Sequence, residues 1–426
     1  MSPPASSTGL AGVDGDPSVP NGRLGLRDRA ALTAMRAVNA ASRLSGRGGG
    51  TVAGGRVALR VSPGVAAHLA RGREVALVSG TNGKTTTTAF VAAALRTRGT
   101  VATNATGANM LPGHVAALGS RRRARAAALE CDEVWLPKVL PVVQPAAVVL
   151  LNLSRDQLDR TAEVRRVADA WRDALVGFGG VCVANADDPL VVHAATAATN
   201  RSWYAGGLAF GGDAVACPRC ACRLHFDAEG WRCVCGLARP TPDAVPVDAG
   251  AALEGRLVAF RPSLPGRFNH ANAVAALLCA TRLGVPAPDA ATAIASVTDV
   301  AGRFRTVDVA GVSARLLLAK NPAGWEALLD VVSHDDAPLV IAINARVADG
   351  RDPSWLYDVD FERLAGRRVV ATGERWRDLS ARLFYAGVAH DTAPVATSAI
   401  ARAGDGAARV DVVANYTAFA ELLGVG

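Results

Sequence analysis

Lysine is almost missing from this chain. Of 46 lysines and arginines in 426 residues, only Lys84, Lys138 and Lys320 are lysines. Arginine therefore carries the ordinary surface charge. A compact ammonium and a planar guanidinium differ in reach and geometry. A lysine kept in such a background marks a task arginine does not perform, above all at Lys84 and Lys320. Aromatic residues are also few, at 5%, and no arginine-plus-aromatic array offers a base-stacking platform. No run of 18 or more apolar residues occurs, which excludes an ordinary membrane-spanning helix. The N-terminus has no basic segment followed by an apolar core, so no secretory leader is read and the expected compartment is cytoplasmic.

What is present points to a two-domain α/β protein. A chain of 426 residues exceeds one typical core, and the 50% apolar content is rich in alanine rather than aromatics. The formal charge of +8 suits anionic partners without choosing among them. Residues 1–25, rich in Ser, Pro, Gly and Asp, read as disordered. A basic helix is expected from Arg27 to Arg43, a glycine turn from Gly46 to Thr51 and a strand from Arg56 to Val61. Strands at Glu74–Ser79, Ala146–Leu153 and Gly180–Ala184 alternate with helical segments, which predicts a mostly parallel sheet covered on both faces. One such segment, Thr161 to Val176, carries an apolar stripe through Val164, Val167, Ala168, Trp171, Ala174 and Leu175. A second α/β unit follows a hinge at Gly302-Arg303, with strands near Ala314–Leu318, Pro338–Ile343, Arg368–Ala371 and Val410–Val413. The expected division is a tail and helix over 1–41, a central domain over 42–301 with an insert at 216–239, and a C-terminal domain over 302–426.

The sharpest motif is Gly80-Thr81-Asn82-Gly83-Lys84-Thr85-Thr86. It lies between an apolar strand and a segment, Thr85 to Arg98, with helical spacing. Strand, glycine loop and helix in that order form a phosphate cradle, because loop N–H groups and the helix N-terminus converge on anionic oxygens. Lys84 reaches the β/γ-phosphates and the Thr85 hydroxyl ligates Mg²⁺. The spacing is a shortened P-loop, since Val78 stands where the common form has glycine.

Eight cysteines are present, and five lie between Cys217 and Cys235. In a chain without a leader such bunching favours metal over disulfides. Cys217-x-x-Cys220 and Cys233-x-Cys235 are two thiolate knuckles of a zinc ribbon, the second one residue shorter than usual. Cys217, Cys220, Cys233 and Cys235 are the expected ligands of a structural Zn²⁺, with Cys222 as a substitute. The acidic stretch Glu130-Cys131-Asp132-Glu133 supplies Glu130 as a second Mg²⁺ oxygen ligand. Asn152-Leu-Ser-Arg155-Asp156-Gln157 and Asn185-Ala-Asp187-Asp188-Pro189 both follow strands, where open α/β sheets bind ligands.

These motifs, with Gly266-Arg-Phe-Asn269-His-Ala-Asn272, stand in the order of the Mur ligase family, and the chain resembles it. From about Ser42 it is similar to that family's MurT group. The cysteine insert, Ser154–Arg160, Ala319-Lys-Asn-Pro-Ala-Gly324, Ala348–Asp358 and Asn415-Tyr-Thr-Ala418 carry this likeness. The resemblance implies a Mur ligase-like central P-loop ATPase domain and a C-terminal Rossmann-like domain. A UDP-binding N-terminal domain is not expected. It implies a carbon–nitrogen ligase of peptidoglycan synthesis that uses ATP and Mg²⁺, with Lys84 and Glu130 in the chemistry. Asn185, Asn269, Asn272 and Lys320 would join the P-loop at the nucleotide. The substrate implied is lipid II at the inner face of the cell membrane. The α-carboxyl of its D-glutamate would become an amide via an acyl phosphate, with ammonia from a GatD-type glutaminase in a heterodimer. An aspartate of the 349–358 segment would orient the partner's catalytic histidine. Asp352 is the choice, with Asp349 and then Asp358 as alternates.

Three positions depart from the family pattern: Gln157 stands where ordinary members carry histidine, Arg305 where they carry glutamate, and the second knuckle is short. Two other functions fit parts of the chain. A nucleic-acid-stimulated zinc-ribbon ATPase fits the P-loop, cysteines and charge, but the scattered basic residues oppose it, and no nucleic-acid partner is expected. A Mur-like ligase that adds an amino acid fits the P-loop, but the cysteine insert and the Ala348–Asp358 segment oppose it.

Overall fold

The computed structural model describes residues 24–45, 50–104, 107–154, 164–207, 215–300, 304–309, 311–333 and 336–424. The expected disordered tail up to residue 23, most of the Gly46 turn, Arg155–Arg160 with Gln157, and the Gly302-Arg303 hinge lie outside these residues.

The alternation of apolar runs and helical segments produces a nine-stranded sheet among the described residues. Its strands are β1 (Glu74–Ser79), β2 (Val101–Thr103), β3 (Ala126–Cys131), β4 (Ala147–Leu150), β5 (Val181–Asn185) and β6 (Arg201–Tyr204), extended by β9 (Ala244–Val247), β10 (Gly250–Leu253) and β11 (Arg256–Ala259). The order is β11-β10-β9-β6-β5-β4-β1-β3-β2. Every pair from β2 to β9 is parallel, and only β9-β10-β11 run antiparallel. Strand β1 lies between β3 and β4, so the order reverses there, and a crevice opens at its carboxyl end.

Both faces of this sheet are covered. One carries α1 (Leu26–Leu44), α2 (Thr51–Val61), α3 (Val65–Ala70), α5 (Leu111–Ser120), α6 (Leu136–Val143), α7 (Val164–Leu175) and α8 (Pro189–Ala195). The other carries α4 (Lys84–Arg96), α9 (Arg267–Arg282) and α10 (Ala287–Ala295). The Arg27–Arg43 and Thr161–Val176 segments form helices as expected, the latter described from Val164. Leu24 is buried rather than part of a loose tail. The strand expected at Arg56–Val61 is instead the second half of α2. Gly54, Gly55 and Ala58 make a side-chain-poor face there, and a Cβ on Gly55 would fall 1.9 Å from Pro112 O. Close helix packing outweighs the weak helix propensity of two glycines, a cost of about 1 kcal/mol each.

The second sheet contains β12 (Phe304–Val309), β13 (Val312–Leu318), β14 (Leu339–Ala342), β15 (Val369–Thr372), β16 (His390–Thr392) and β17 (Val410–Ala414), in the order β12-β13-β17-β14-β15-β16. It is parallel apart from β12. Helix α11 (Pro322–Val332) packs on it through Trp325, which is fully buried against Trp355 and Phe361. Helices α12 (Trp376–Tyr385), α13 (Ala396–Ala403) and α14 (Tyr416–Leu422) complete the unit. The cysteine-rich insert stays out of both sheets. Its hairpin, β7 (His225–Asp227) with β8 (Gly230–Arg232), is a separate two-stranded ribbon.

Candidate active site

The loop after β1 bends where only glycine fits. Gly80 has φ +148° and lies so close to β4's exit that a Cβ would sit 2.9 Å from Leu151 Cβ. Gly83 has φ +83°, heads α4, and leaves no room beside the Asn272 amide, 2.8 Å from a Cβ position. The loop is tied down by the segment beyond β4. Asn152 accepts from Asn82 N at 2.9 Å and donates to Asn82 O at 3.1 Å, while its own carbonyl accepts from Thr81 N at 2.9 Å. Thr81 Oγ1 donates to Ser154 O and accepts from Ser154 N, both at 3.0 Å.

Lys84 is buried at the first turn of α4. Its ammonium donates to Gly80 O at 2.5 Å, to Thr81 O at 3.0 Å and to Glu133 Oε2 at 3.0 Å. Beside it, Thr85 Oγ1 donates to Glu130 Oε2 at 2.8 Å. The two hard oxygen donors proposed for Mg²⁺ are therefore adjacent, and their chemistry suits that ion.

Glu130 is held from behind. Asn104 accepts from Glu130 N and donates to Glu130 O, both at 2.8 Å, and His114 Nε2 lies 2.8 Å from the same carbonyl. Burial pushes the His114 pKa down, so the ring is neutral and donates from Nε2. Glu133 is fixed through its backbone, because Trp171 Nε1 donates to Glu133 O at 2.8 Å. Spacing along the chain gives no sign of Glu133 pairing with Lys84 or of the Asn104–His114 clasp. Both arise where parallel strands end side by side.

A cleft of about 760 Å³ opens beside the loop, with Gly80, Thr81, Lys84 and Glu130 outside its lining. Asn82, Gly83, Thr85, Thr86, Asn185, Asn269 and Asn272 line it, as do Ala323 and Gly324 of the second unit. Asn269 donates to Pro265 O at 2.7 Å, and Asn185 accepts from Asp187 N and Gly206 N, each at 3.0 Å. The second unit meets the P-loop at Gly324, where a Cβ would lie 3.9 Å from Asn82 Oδ1. Asn321 caps α11 there by accepting from Gly324 N at 2.9 Å. Lys320 is not among the cleft-lining residues, and its Nζ sits over the Tyr416 ring at 5.5 Å.

The 349–358 segment lies on the second unit. Asp349 is buried and accepts from Thr417 N at 2.9 Å and from the Thr417 hydroxyl. Asp352 and Asp358 are exposed, and Asp352 caps a turn by accepting from Ser354 N at 2.9 Å.

In the insert, the sulfurs of Cys217, Cys220, Cys233 and Cys235 all lie within 4.8 Å of one another. Cys217–Cys235 and Cys220–Cys233 are 3.6 and 3.4 Å apart. A tetrahedral zinc with bonds of about 2.3 Å needs sulfurs about 3.8 Å apart. The four thiols fit that ion, and exposed Cys222 stands outside the group.

Residues 78–280 match the Mur ligase middle domain and residues 318–419 the MurT ligase C-terminal domain. The chain is 30% identical over 390 residues to the lipid II isoglutaminyl synthase (glutamine-hydrolyzing) subunit MurT of Staphylococcus aureus, covering 85% of this chain and 89% of that one. It is 29% identical over 378 residues to the same subunit of Streptococcus pneumoniae, covering 81% and 84%. Among solved structures, a pseudomurein peptide ligase type C from Methanothermus fervidus superposes with a TM-score of 0.63 at 17% identity, covering 83% of this chain and 78% of that one. Folylpolyglutamate synthase from Mycobacterium tuberculosis superposes with a TM-score of 0.58 at 16% identity, covering 94% and 99%. These structures share the fold.

Proposed function

The chain belongs to the Mur ligase family, in its MurT group, and from that premise we propose that it amidates the D-glutamate α-carboxyl of the lipid II stem peptide. The observation that carries this reading is the match to MurT subunits over most of both chains, joined to a P-loop whose Thr85 meets Glu130 and whose Lys84 meets Glu133 at the end of β3.

A carboxylate is a poor electrophile, so its oxygen first attacks the γ-phosphorus of ATP and ADP leaves. Ammonia then adds to the acyl carbon, and phosphate departs as the C–N bond forms. The first step brings two anions together, and fixed positive charge and dipoles stabilise that approach. Lys84 supplies an ammonium beside the phosphates, and the first turn of α4 supplies N–H groups. Thr85 and Glu130 would hold Mg²⁺, which neutralises phosphate oxygens when bound. Asn185, Asn269 and Asn272 line the nucleotide's side of the cleft, and Lys320 approaches only if the second unit closes further.

The ammonia comes from a GatD-type glutaminase partner. Exposed Asp352 orients that partner's catalytic histidine across the interface. Internal hydrogen bonds commit Asp349, which moves it behind Asp358 as an alternate. The protein works on the cytoplasmic face of the membrane. No helix among the described residues is long and apolar enough to cross it. Zn²⁺ on the four cysteines is structural, since four thiolates leave no open position. The experiment is ADP release by the purified chain: turnover that requires lipid II and ammonium together supports the reading, and turnover indifferent to both removes it.

A further inference from the structure

The side chains of Trp231 and Arg239 join the cysteine insert to the turn that leaves β5. Trp231, on β8 and 4% exposed, donates from Nε1 to Ala186 O at 3.1 Å. Arg239, at the module's exit, donates from Nε to Asp187 Oδ1 at 2.6 Å. The other Asp187 oxygen accepts from Gly207 N at 2.8 Å. Asn185, Asp187, Gly206 and Gly207 line the cleft. The turn leaving β5 is thus held at two consecutive residues by a module that belongs to neither sheet. Trp231 and Cys233 pack together in one small core with Cys217, Leu224, Leu237 and Val192.

We propose that this module braces the nucleotide cleft, with Trp231 and Arg239 as positioning residues acting through Ala186 and Asp187. Two effects combine. The indole N–H and the guanidinium fix the turn that presents Asn185 to the cleft. The guanidinium also neutralises Asp187, a carboxylate that would otherwise face a polyanionic ligand. The four-sulfur centre sits two residues from Trp231, so the order it imposes passes directly to the indole. This inference rests on the reading of the cleft as a nucleotide site.

The test is calorimetric titration of the full chain with MgADP, alongside zinc content and the nucleotide-free melting temperature. Wild type binds MgADP. Arg239→Gln weakens binding about fivefold or more, with zinc content and melting temperature unchanged. Arg239→Lys keeps part of the affinity, and adding Asp187→Asn to Arg239→Gln recovers part of the loss by removing the stray carboxylate. Trp231→Phe, which keeps an aromatic ring but loses the pyrrole ring with its N–H, weakens binding to a smaller degree. Wild-type affinity in both Arg239→Gln and Trp231→Phe overturns the brace, as does a fall in zinc content or melting temperature with affinity unchanged. If wild type itself fails to bind MgADP, the cleft reading falls and the brace with it.

Discussion

The Thr85 hydroxyl donates to Glu130 Oε2 at 2.8 Å, joining the first turn of α4 to the end of β3. Each group satisfies the other. Glu130→Gln keeps the shape and removes the charge. It should raise the Mg²⁺ concentration for half-maximal ATP turnover by about tenfold or more. A magnesium titration at saturating ATP checks this, and an unchanged midpoint would take Glu130 out of the metal site.

The Lys84 ammonium donates to Gly80 O, to Thr81 O and to the Glu133 carboxylate, which carries a charge of opposite sign. Lys84→Ala should lower ammonia-driven amidation by about a hundredfold or more, the scale of losing one preorganised charge at a phosphate. Glu133→Gln should leave the lysine freer to meet phosphate and tighten MgADP binding. Full ammonia-driven activity in Lys84→Ala would remove the loop from the mechanism.

The β1–loop–α4 unit was legible in sequence because every part of it is local: an apolar run, glycines at fixed offsets, a lysine and a threonine. The grouping of Cys217, Cys220, Cys233 and Cys235 was legible for the same reason, since two knuckles bring their own spacing. Helix α2 was misread because Arg56–Val61 has strand-like composition, and the face that decides the matter consists of Gly54, Gly55 and Ala58. The Lys84–Glu133 pair and the Asn104–His114 clasp on Glu130 join residues from different strands and helices. Their contacts depend on strand order, which no local pattern states. Arg239 and Asp187 lie 52 positions apart and meet only because the insert folds back.

Zinc should be present at close to one equivalent per chain by elemental analysis. Cys217→Ser and Cys233→Ser should lower both zinc content and melting temperature, because ligand loss leaves buried thiols without their ion. Cys222→Ser should leave both unchanged. Metal loss in Cys222→Ser with retention in Cys220→Ser would exchange those two ligands.

Asp352 is exposed on a loop of the second unit, away from the cleft lining. Asp352→Asn should cripple amidation driven by glutamine through the partner and spare amidation driven by ammonium salt. Asp349→Asn should instead lower the melting temperature, since Asp349 ties its loop to Thr417. If both activities fall together in Asp352→Asn, the residue serves the ligase or the fold rather than the partner.

The most direct measurement is mass spectrometry of lipid II after incubation with this chain, MgATP and ¹⁵N-ammonium. The account predicts one labelled nitrogen at the D-glutamate α-carboxyl for each ADP formed, and labelling slowed by about a hundredfold or more with Lys84→Ala. ADP formation without label in the stem peptide, or label on a different carboxyl, would contradict it.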